Sequence, residues 1–324
     1  MRICVFGAGA VGGHFAVRLA RAGHAVCVVA RGDHLAAIKT RGLTVMSGDQ
    51  RLHATVGASD DPAVLGPQDV VLVTLKAHDL PSFAMVAPPL LHAQTSVVFA
   101  HNGIPWWYAD GSCSGDRTMP RPGLLDPGNA IRNAIGVGRT LGGVIYSSND
   151  QVEPGVIVNN SAHRNCLLIG EIDDARTSRV KTLREVLTAA GIDSPPVAAV
   201  RQKIWDKLIA NLSVSILSFL TETTSRTVYD DAHLRAVADN LAKEGIAIAH
   251  AHGYACQVDA SGPAPGHKSS MLQDFERGRR AEIDAVLLAP QAFAREARLA
   301  TPVLDTIIQL VCFKTARGWR PMAH

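Results

Sequence analysis

The chain opens on a short apolar strand, Arg2–Phe6, that runs straight into Gly7-Ala8-Gly9-Ala10-Val11-Gly12-Gly13, and this turn limits the fold more than any other stretch. Each glycine answers a different steric demand. Gly7 permits the tight turn, Gly9 lets backbone approach a pyrophosphate, and Gly12 lets the next helix pack closely on the strand. An amphipathic stretch over 14–22 follows, and the free N–H groups at the start of its helix would face the phosphates. A second strand, Ala25–Ala30, ends in Arg31. The pattern implies a dinucleotide site formed by Gly7, Ala8, Gly9, Ala10, Val11 and Gly12. A turn that merely packs a helix on a sheet is the alternative, and it leaves the spacing of the three glycines unexplained.

The end of the second strand meets the adenine ribose, so the residue there selects the dinucleotide. A carboxylate would accept hydrogen bonds from a free 2′-hydroxyl, whereas the Arg31 guanidinium offers a charge-assisted fork to a 2′-phosphate. NADP is therefore expected over NAD. Asp33, two residues on, would reverse that choice under a shifted register, and Arg31 as a solvated loop charge is the plain alternative.

A length of 324 residues suits about two domains, and 47% apolar residues can fill their cores. A formal charge of +3 without a long basic run gives no nucleic-acid footprint but suits small anionic ligands. The sequence shows no run of eighteen apolar residues and no signal-peptide pattern, so a cytoplasmic protein that does not engage a membrane is expected. The six cysteines lack CxxC or metal-type spacing and fit reduced thiols. Cys4 and Cys27 fall on neighbouring strands as small buried hydrophobes. Cys113, in Gly111-Ser112-Cys113-Ser114-Gly115, lacks the preceding apolar strand of a nucleophile turn and reads as a loop residue.

Further along, Leu43–Ser47 and Leu52–Val56 flank Gly48-Asp49-Gln50 as a hairpin or two short strands. Asp69–Leu75 and Thr95–Ala100 are apolar strands of the buried parallel type, with a helix after Asp79 between them. Alternating strands and helices make an α/β doubly wound sheet. The stretch 109–127, rich in Gly, Pro, Ser and Asp, should be a long surface loop. Strands over 141–147, 155–159 and 165–169 and a helix over 175–190 close a first domain near Pro195-Pro196. Beyond it, 201–220, 232–252, 270–288 and 302–317 all read as helices, giving residues 1–197 to the nucleotide domain and 198–324 to an all-α domain. Ligand is expected where strand ends of the first face helices of the second.

Ketone reduction needs an acid for the developing alkoxide, polar groups that fix the carbonyl, and an anchor for the rest of the substrate. Lys207 and Asn211 are four apart and share a helical face. Lys207 is the acid candidate, with a surface lysine as the alternative. In Ser269-Ser270-Met271-Leu272-Gln273-Asp274 the serines would cap a helix; a straight helix would hold Ser270 and Glu282 about 18 Å apart. Either Ser270 lies in the turn before the helix and the chain bends, or Glu282 serves the cofactor ribose or Lys207. An N-cap serine with an exposed glutamate is the alternative to both. Lys76 and Asn102 follow two strands at their carboxyl ends, where ligands meet an open sheet; Asn102 could equally cap a helix or form a turn. His250 and His252, two apart, share no helical face, and no metal site is expected.

Together Gly7-Ala8-Gly9-Ala10-Val11-Gly12, Arg31, Thr74-Leu75-Lys76, His101-Asn102-Gly103, Trp205-Asp206-Lys207 with Asn211, and the Ser269–Asp274 segment with Glu282-Ile283-Asp284 resemble the ketopantoate reductase family. The resemblance spans nearly the whole chain in order. It implies a Rossmann-type domain followed by a helical one, NADPH-dependent reduction of 2-dehydropantoate to pantoate, and commonly a homodimer. It further implies Lys207 as general acid, Glu282 as the essential carboxylate near substrate and nicotinamide, and Asn102, Asn211 and Ser270 as substrate contacts. Lys76 matches a lysine facing the cofactor. Ser215 stands where the family usually has an asparagine, and Ile104-Pro105-Trp106-Trp107-Tyr108 adds aromatic bulk beside Asn102. Both departures admit a different 2-oxo acid as substrate. A 3-hydroxyacid-dehydrogenase-like enzyme and a non-catalytic NADP-binding sensor are the other readings; the Ser269–Asp274 segment disfavours the first, and Lys207 with Glu282 the second.

Overall fold

A computed structural model describes residues 1–111, 120–161, 164–256, 263 and 266–316. Residues 112–119 of the loop expected over 109–127, Cys113 among them, and residue 317 at the end of the last expected helix lie outside the described residues. The chain forms two compact units. One comprises Met1–His101, Asp126–Arg201 and the described part of Trp106–Cys113; the other comprises Asn102–Pro105 and the described parts of Ser114–Leu125 and Gln202–His324.

The first unit carries strands β1 (Arg2–Phe6), β2 (Ala25–Val29), β3 (Leu43–Ser47), β4 (Gln50–Ala54), β5 (Gly57–Ser59), β6 (Val70–Val73), β7 (Ser96–Ala100), β8 (Thr140–Tyr146), β9 (Asn149–Glu153), β10 (Val156–Asn159) and β11 (Cys166–Glu171). Seven of them form one sheet in the order β11-β8-β7-β6-β1-β2-β5. All its pairings are parallel except β11 with β8. Parallel strands are covered on both faces, and β6 and β7 are buried along their whole lengths. The chain passes from β1 to β2 on one side and later to β6 on the other. The β1–β6 boundary is thus the point where strand order reverses, and dinucleotide sites of doubly wound sheets lie at such points.

Helices α1 (Ala10–Arg21), α2 (Gly32–Arg41), α3 (Leu80–Val86), α4 (Ala130–Ile135) and α5 (Ser178–Ala189) complete this unit. The β3–β4 hairpin expected from sequence is present, but with a shorter turn, and it belongs to a second sheet of order β4-β3-β10-β9. In that sheet β10 pairs in parallel with β3, more than a hundred residues earlier. Helix α1 packs between the two sheets. Accordingly Gly12, Gly13, His14, Phe15, Ala16, Val17 and Leu19 are all buried, where an amphipathic helix would bury one face.

The second unit is helical: α6 (Val200–Ala210), α7 (Ile216–Thr221), α8 (Ser225–Asp230), α9 (Ala232–Ala251), α10 (Ser270–Glu276), α11 (Ala289–Glu296) and α12 (Pro302–Ala316). The helix read over 270–288 is a correction. α10 stops after Glu276, Gly278 turns with φ +65°, and helical structure resumes only beyond Glu282. Helices α6 and α7 are joined by a π-helical turn, Asn211–Ser215, into one helix over Val200–Thr221. That helix is long and apolar enough to cross a membrane, yet it is interrupted by Lys203, Asp206, Lys207 and Asn211, as a core helix of a folded unit would be. The Lys314 ammonium closes its end by donating to the Phe219 and Leu220 carbonyls at 2.9 and 3.0 Å, where a cation also complements the helix dipole.

Candidate functional site

The glycine turn is held through nearly every backbone group it has. Gly7, at φ +98°, and Ala8 both donate their N–H groups to the Val29 carbonyl at 3.1 Å. The Gly7 carbonyl accepts from the Thr74 hydroxyl at 2.7 Å, and the Ala8 carbonyl lies 2.7 Å from His34 Nε2. A Cβ on Gly12 would overlap the Gly7 carbonyl and the Thr74 hydroxyl, so only glycine fits at that crossing. A Cβ on Gly9 would meet no protein atom within 4 Å, so the backbone is approachable there. Gly9 caps α1 without a side-chain acceptor, and the first turn carries no acidic residue. An anionic group would therefore find N–H donors and the positive end of the helix dipole at Ala10, Val11 and Gly12. These features fit a dinucleotide pyrophosphate.

Arg31 follows β2 by two residues, caps α2 in extended geometry and is exposed. No carboxylate occupies the strand end itself, and Asp33 lies in the first turn of α2. Lys76 is half-buried after β6, as the residue before the short 3₁₀ turn Ala77–Asp79.

In the helical unit the structure joins two predicted residues 180 positions apart: Asn102 Nδ2 donates to Glu282 Oε2 at 2.9 Å. Glu282 is only 5% exposed, so the exposed-glutamate alternative does not hold. A buried carboxylate needs such partners, because an unsatisfied one would cost several kcal/mol. What fixes Asn102 is the next residue pair. Gly103, at φ +78°, lies so close to Ala285 that a Cβ would overlap its carbonyl, and the Ile104 N–H donates to that same carbonyl at 2.9 Å.

The sequence explains why the Ala285 carbonyl is free to accept. Asp284–Leu288 is a π-helical turn in which the Ala289 N–H bonds to the Asp284 carbonyl, five residues back. In that register the partner of Ala285 would be residue 290, which is proline and has no N–H. Ile104 supplies the missing donor.

Lys207 and Asn211 lie half-buried on one run of helix, with Asn211 opening the π turn. Within that turn the Ser213 hydroxyl donates to the Ile209 carbonyl at 2.8 Å, the back-bonding that loosens α geometry. Ser215 Oγ lies 3.4 Å from Asn211 Oδ1 and donates to it, which leaves the Asn211 amide N–H groups to point elsewhere. Ser269, not Ser270, is the N-cap of α10: it accepts from the Leu272 N–H at 3.2 Å and donates to the Ser215 carbonyl at 3.1 Å. Ser270 is the exposed first residue of the helix. The bend after Glu276 removes the straight-helix separation of Ser270 from Glu282. Among the described residues, no group of three or more His, Cys, Asp or Glu side chains is arranged to hold a metal.

Sequence reasoning missed Thr74, His34 and Gly103 as supports of these groups, whereas the helix cap expected of the serines is Ser269. Pro290 was the available signal for the Ala285 carbonyl; nothing in the spacing pointed to His34.

Two family models match the chain, ketopantoate reductase PanE/ApbA over residues 3–106 and ketopantoate reductase PanE/ApbA C terminal over residues 199–315. A 2-dehydropantoate 2-reductase of Mesorhizobium japonicum is 39% identical over 319 residues, covering 96% of this chain and 97% of that protein. The crystal structure of a Ralstonia solanacearum MolK2 protein superposes with a TM-score of 0.88 at 34% identity, covering 98% of this chain and 99% of that one. The ternary structure of D-mandelate dehydrogenase with NADH and anilino(oxo)acetate shares the fold, with a TM-score of 0.84 at 19% identity over 98% of this chain and 99% of that one.

Proposed function

This chain belongs to the ketopantoate reductase family and is an oxidoreductase; from that premise we propose that it reduces a small anionic 2-oxo acid to the 2-hydroxy acid with NADPH, 2-dehydropantoate being the first candidate. The observation that carries the reading is the buried Glu282 carboxylate tied to Asn102, in the unit that also bears Lys207 and Asn211. A catalytic carboxylate is worth burying only if its geometry is held, and here it is held from a distant part of the chain.

Gly7 to Gly12 would hold the cofactor pyrophosphate, with Lys76, Asn102 and Glu282 toward its reactive end and Arg31 on the 2′-phosphate. When bound, the dinucleotide supplies the hydride. Lys207 donates a proton to the carbonyl oxygen as negative charge develops there, and its positive charge stabilises that oxygen beforehand. Asn211 offers its amide N–H groups to the substrate carboxylate or carbonyl, its own oxygen being engaged by Ser215. Asn102 and Ser270 complete the polar contacts, and Glu282 orients Asn102 and accepts from a substrate hydroxyl.

A different 2-oxo acid is the second reading, and Ser215 favours it. Its hydroxyl is short and already bonded to Asn211, so it offers less to a distal substrate hydroxyl than an asparagine amide would. The cysteine pattern supports a cytoplasmic setting, and exposed Leu310 and Phe313 on α12 support a homodimer.

The test follows NADPH oxidation against a panel of 2-oxo acids including 2-dehydropantoate, with NADH as the comparison. Lys207→Ala should lower turnover on the best substrate by about a hundredfold or more. A loss within about threefold would remove Lys207 as the acid, and a preference for NADH would remove the role given to Arg31.

A further inference from the structure

The second sheet is an addition that a dinucleotide fold does not need, and its β9–β10 turn lies against the glycine turn's support. Gly155, in that turn at φ +83°, donates its N–H to His34 Nδ1 at 3.0 Å. The other ring nitrogen, Nε2, is 2.7 Å from the Ala8 carbonyl. Both neighbours have fixed roles, since a backbone N–H can only donate and a carbonyl can only accept. Nδ1 is therefore the acceptor and Nε2 carries the proton, which makes the ring the neutral Nε2–H tautomer.

The abutment itself is rigid. The Gly155 carbonyl accepts from the Thr44 N–H at 2.9 Å, and the Pro154 carbonyl accepts from Arg41 at 3.2 Å. Ile157, on the same hairpin, packs so close to α1 that a Cβ on Gly13 would overlap its Cδ1.

We infer that His34 is a positioning residue for the dinucleotide turn: its neutral ring ties the Ala8 carbonyl to the β9–β10 hairpin, and cofactor affinity depends on that tie. The inference rests on reading Gly7 to Gly12 as the cofactor site. Protonating Nδ1 would set two N–H donors against each other at Gly155 and release the hairpin from the ring.

Burial lowers the pKa of His34 below the ordinary histidine value, and the hydrogen bond to Ala8 opposes that shift. The tie is therefore complete above about pH 6.5 and is lost as pH falls through the lowered value. The charged and titratable groups on its own helix and on the neighbouring elements are Arg31 at the N-cap of α2, Asp33, Lys39 and Arg41 on α2, Glu153 on β9, His14, Arg18 and Arg21 on α1, and Asp60 and Asp61 after β5. Among the described residues none forms an ion pair with the ring. The glycine turn, β3 and β10 carry no titratable group.

The experiment measures NADPH and NADH dissociation constants from pH 8 down to pH 5 for the wild type, His34→Gln and His34→Ala, with melting temperatures and kcat at saturating cofactor. Glutamine keeps a donor for Ala8 and does not titrate. His34→Gln should bind within about threefold of wild type at pH 8 and lose the weakening on acidification that wild type shows for NADH. NADH is the decisive ligand because it lacks the titrating 2′-phosphate. His34→Ala should weaken binding about tenfold at pH 8 while kcat changes little. Wild-type weakening below pH 6 that persists unchanged in His34→Gln overturns the inference, as does His34→Ala binding like wild type. A wild type that binds neither nucleotide would instead sink the reading of the turn as a cofactor site.

Discussion

Gly103→Ala is the sharpest perturbation the helical half-site offers. Gly103 sits at φ +78°, where an L residue with a Cβ is strained by about 1–2 kcal/mol. The added Cβ would overlap the Ala285 carbonyl and lie 2.7 Å from the Ala285 Cβ, so the Asn102–Ile104 segment must withdraw. Withdrawal breaks the Ile104–Ala285 hydrogen bond, and Pro290 leaves that carbonyl no donor within its helix. An unsatisfied buried carbonyl costs about 1–3 kcal/mol. The sum, about 3 kcal/mol, corresponds to a fall of several degrees in the melting temperature. Because the moved segment carries Asn102, kcat/KM should fall by more than tenfold. Pro290→Ala in the same background returns an N–H to the helix and should recover part of the stability but not the activity, a non-additivity a double-mutant cycle reads directly. Calorimetry and NADPH-oxidation assays on the three variants test it. A Gly103→Ala protein that melts within a degree of wild type and turns over normally refutes the close approach.

Three further outcomes follow from single groups. The Arg201 side chain, 1% exposed, donates to the Tyr108 carbonyl at 2.9 Å and to those of Ile172 and Asp110, so Arg201→Met should cost more than about 3 kcal/mol in denaturant unfolding; a loss below 1 kcal/mol would contradict it. His14 accepts from Arg18 at 2.9 Å, and burial together with the Arg18 charge lowers its pKa to about 3. Its contribution is whole above pH 6.5 and is lost as pH falls toward 3, so unfolding free energy should drop by about 2 kcal/mol between pH 6.5 and 5, a slope that His14→Gln should flatten. Ser269→Ala should destabilise by about 1 kcal/mol through the lost cap, whereas exposed Ser270→Ala should leave the melting temperature unchanged and raise KM for the 2-oxo acid. An unchanged KM would remove Ser270 from the substrate contacts.

The legible parts of this chain are those in which a single residue or a local run carries the constraint. Gly7 and Gly12 are required by a positive φ and by a backbone crossing, and both requirements are local. Strands β6 and β7 are buried on both faces, so they appear as unbroken apolar runs. The second sheet was not legible, because β10 joins β3 across more than a hundred residues and neither strand's pattern names its partner. Glu282 and Asn102 were each legible as candidates, yet their hydrogen bond across 180 positions was not. The break after Glu276 had a local signal in Gly278 that helical periodicity concealed.

The glycine turn and Asn102 are therefore each held by non-local contacts that are few and individually modest. The glycine turn hangs on Val29, Thr74 and His34, and Asn102 hangs on the seat that Ala285 gives Gly103 and Ile104. Each hydrogen bond contributes about 1 kcal/mol, whereas a core side chain such as Phe15 or Leu72 contributes roughly 2–5 when truncated. Loss of one supporting bond should leave the core standing and shift the turn or the carboxamide it aims. Rate and affinity respond steeply to such shifts, since a displacement of about 1 Å at a reacting group can cost a hundredfold. Cofactor affinity at Thr74 and His34, and turnover at Gly103, should consequently fail before folding does, and folding should fail first at the strand residues beneath them.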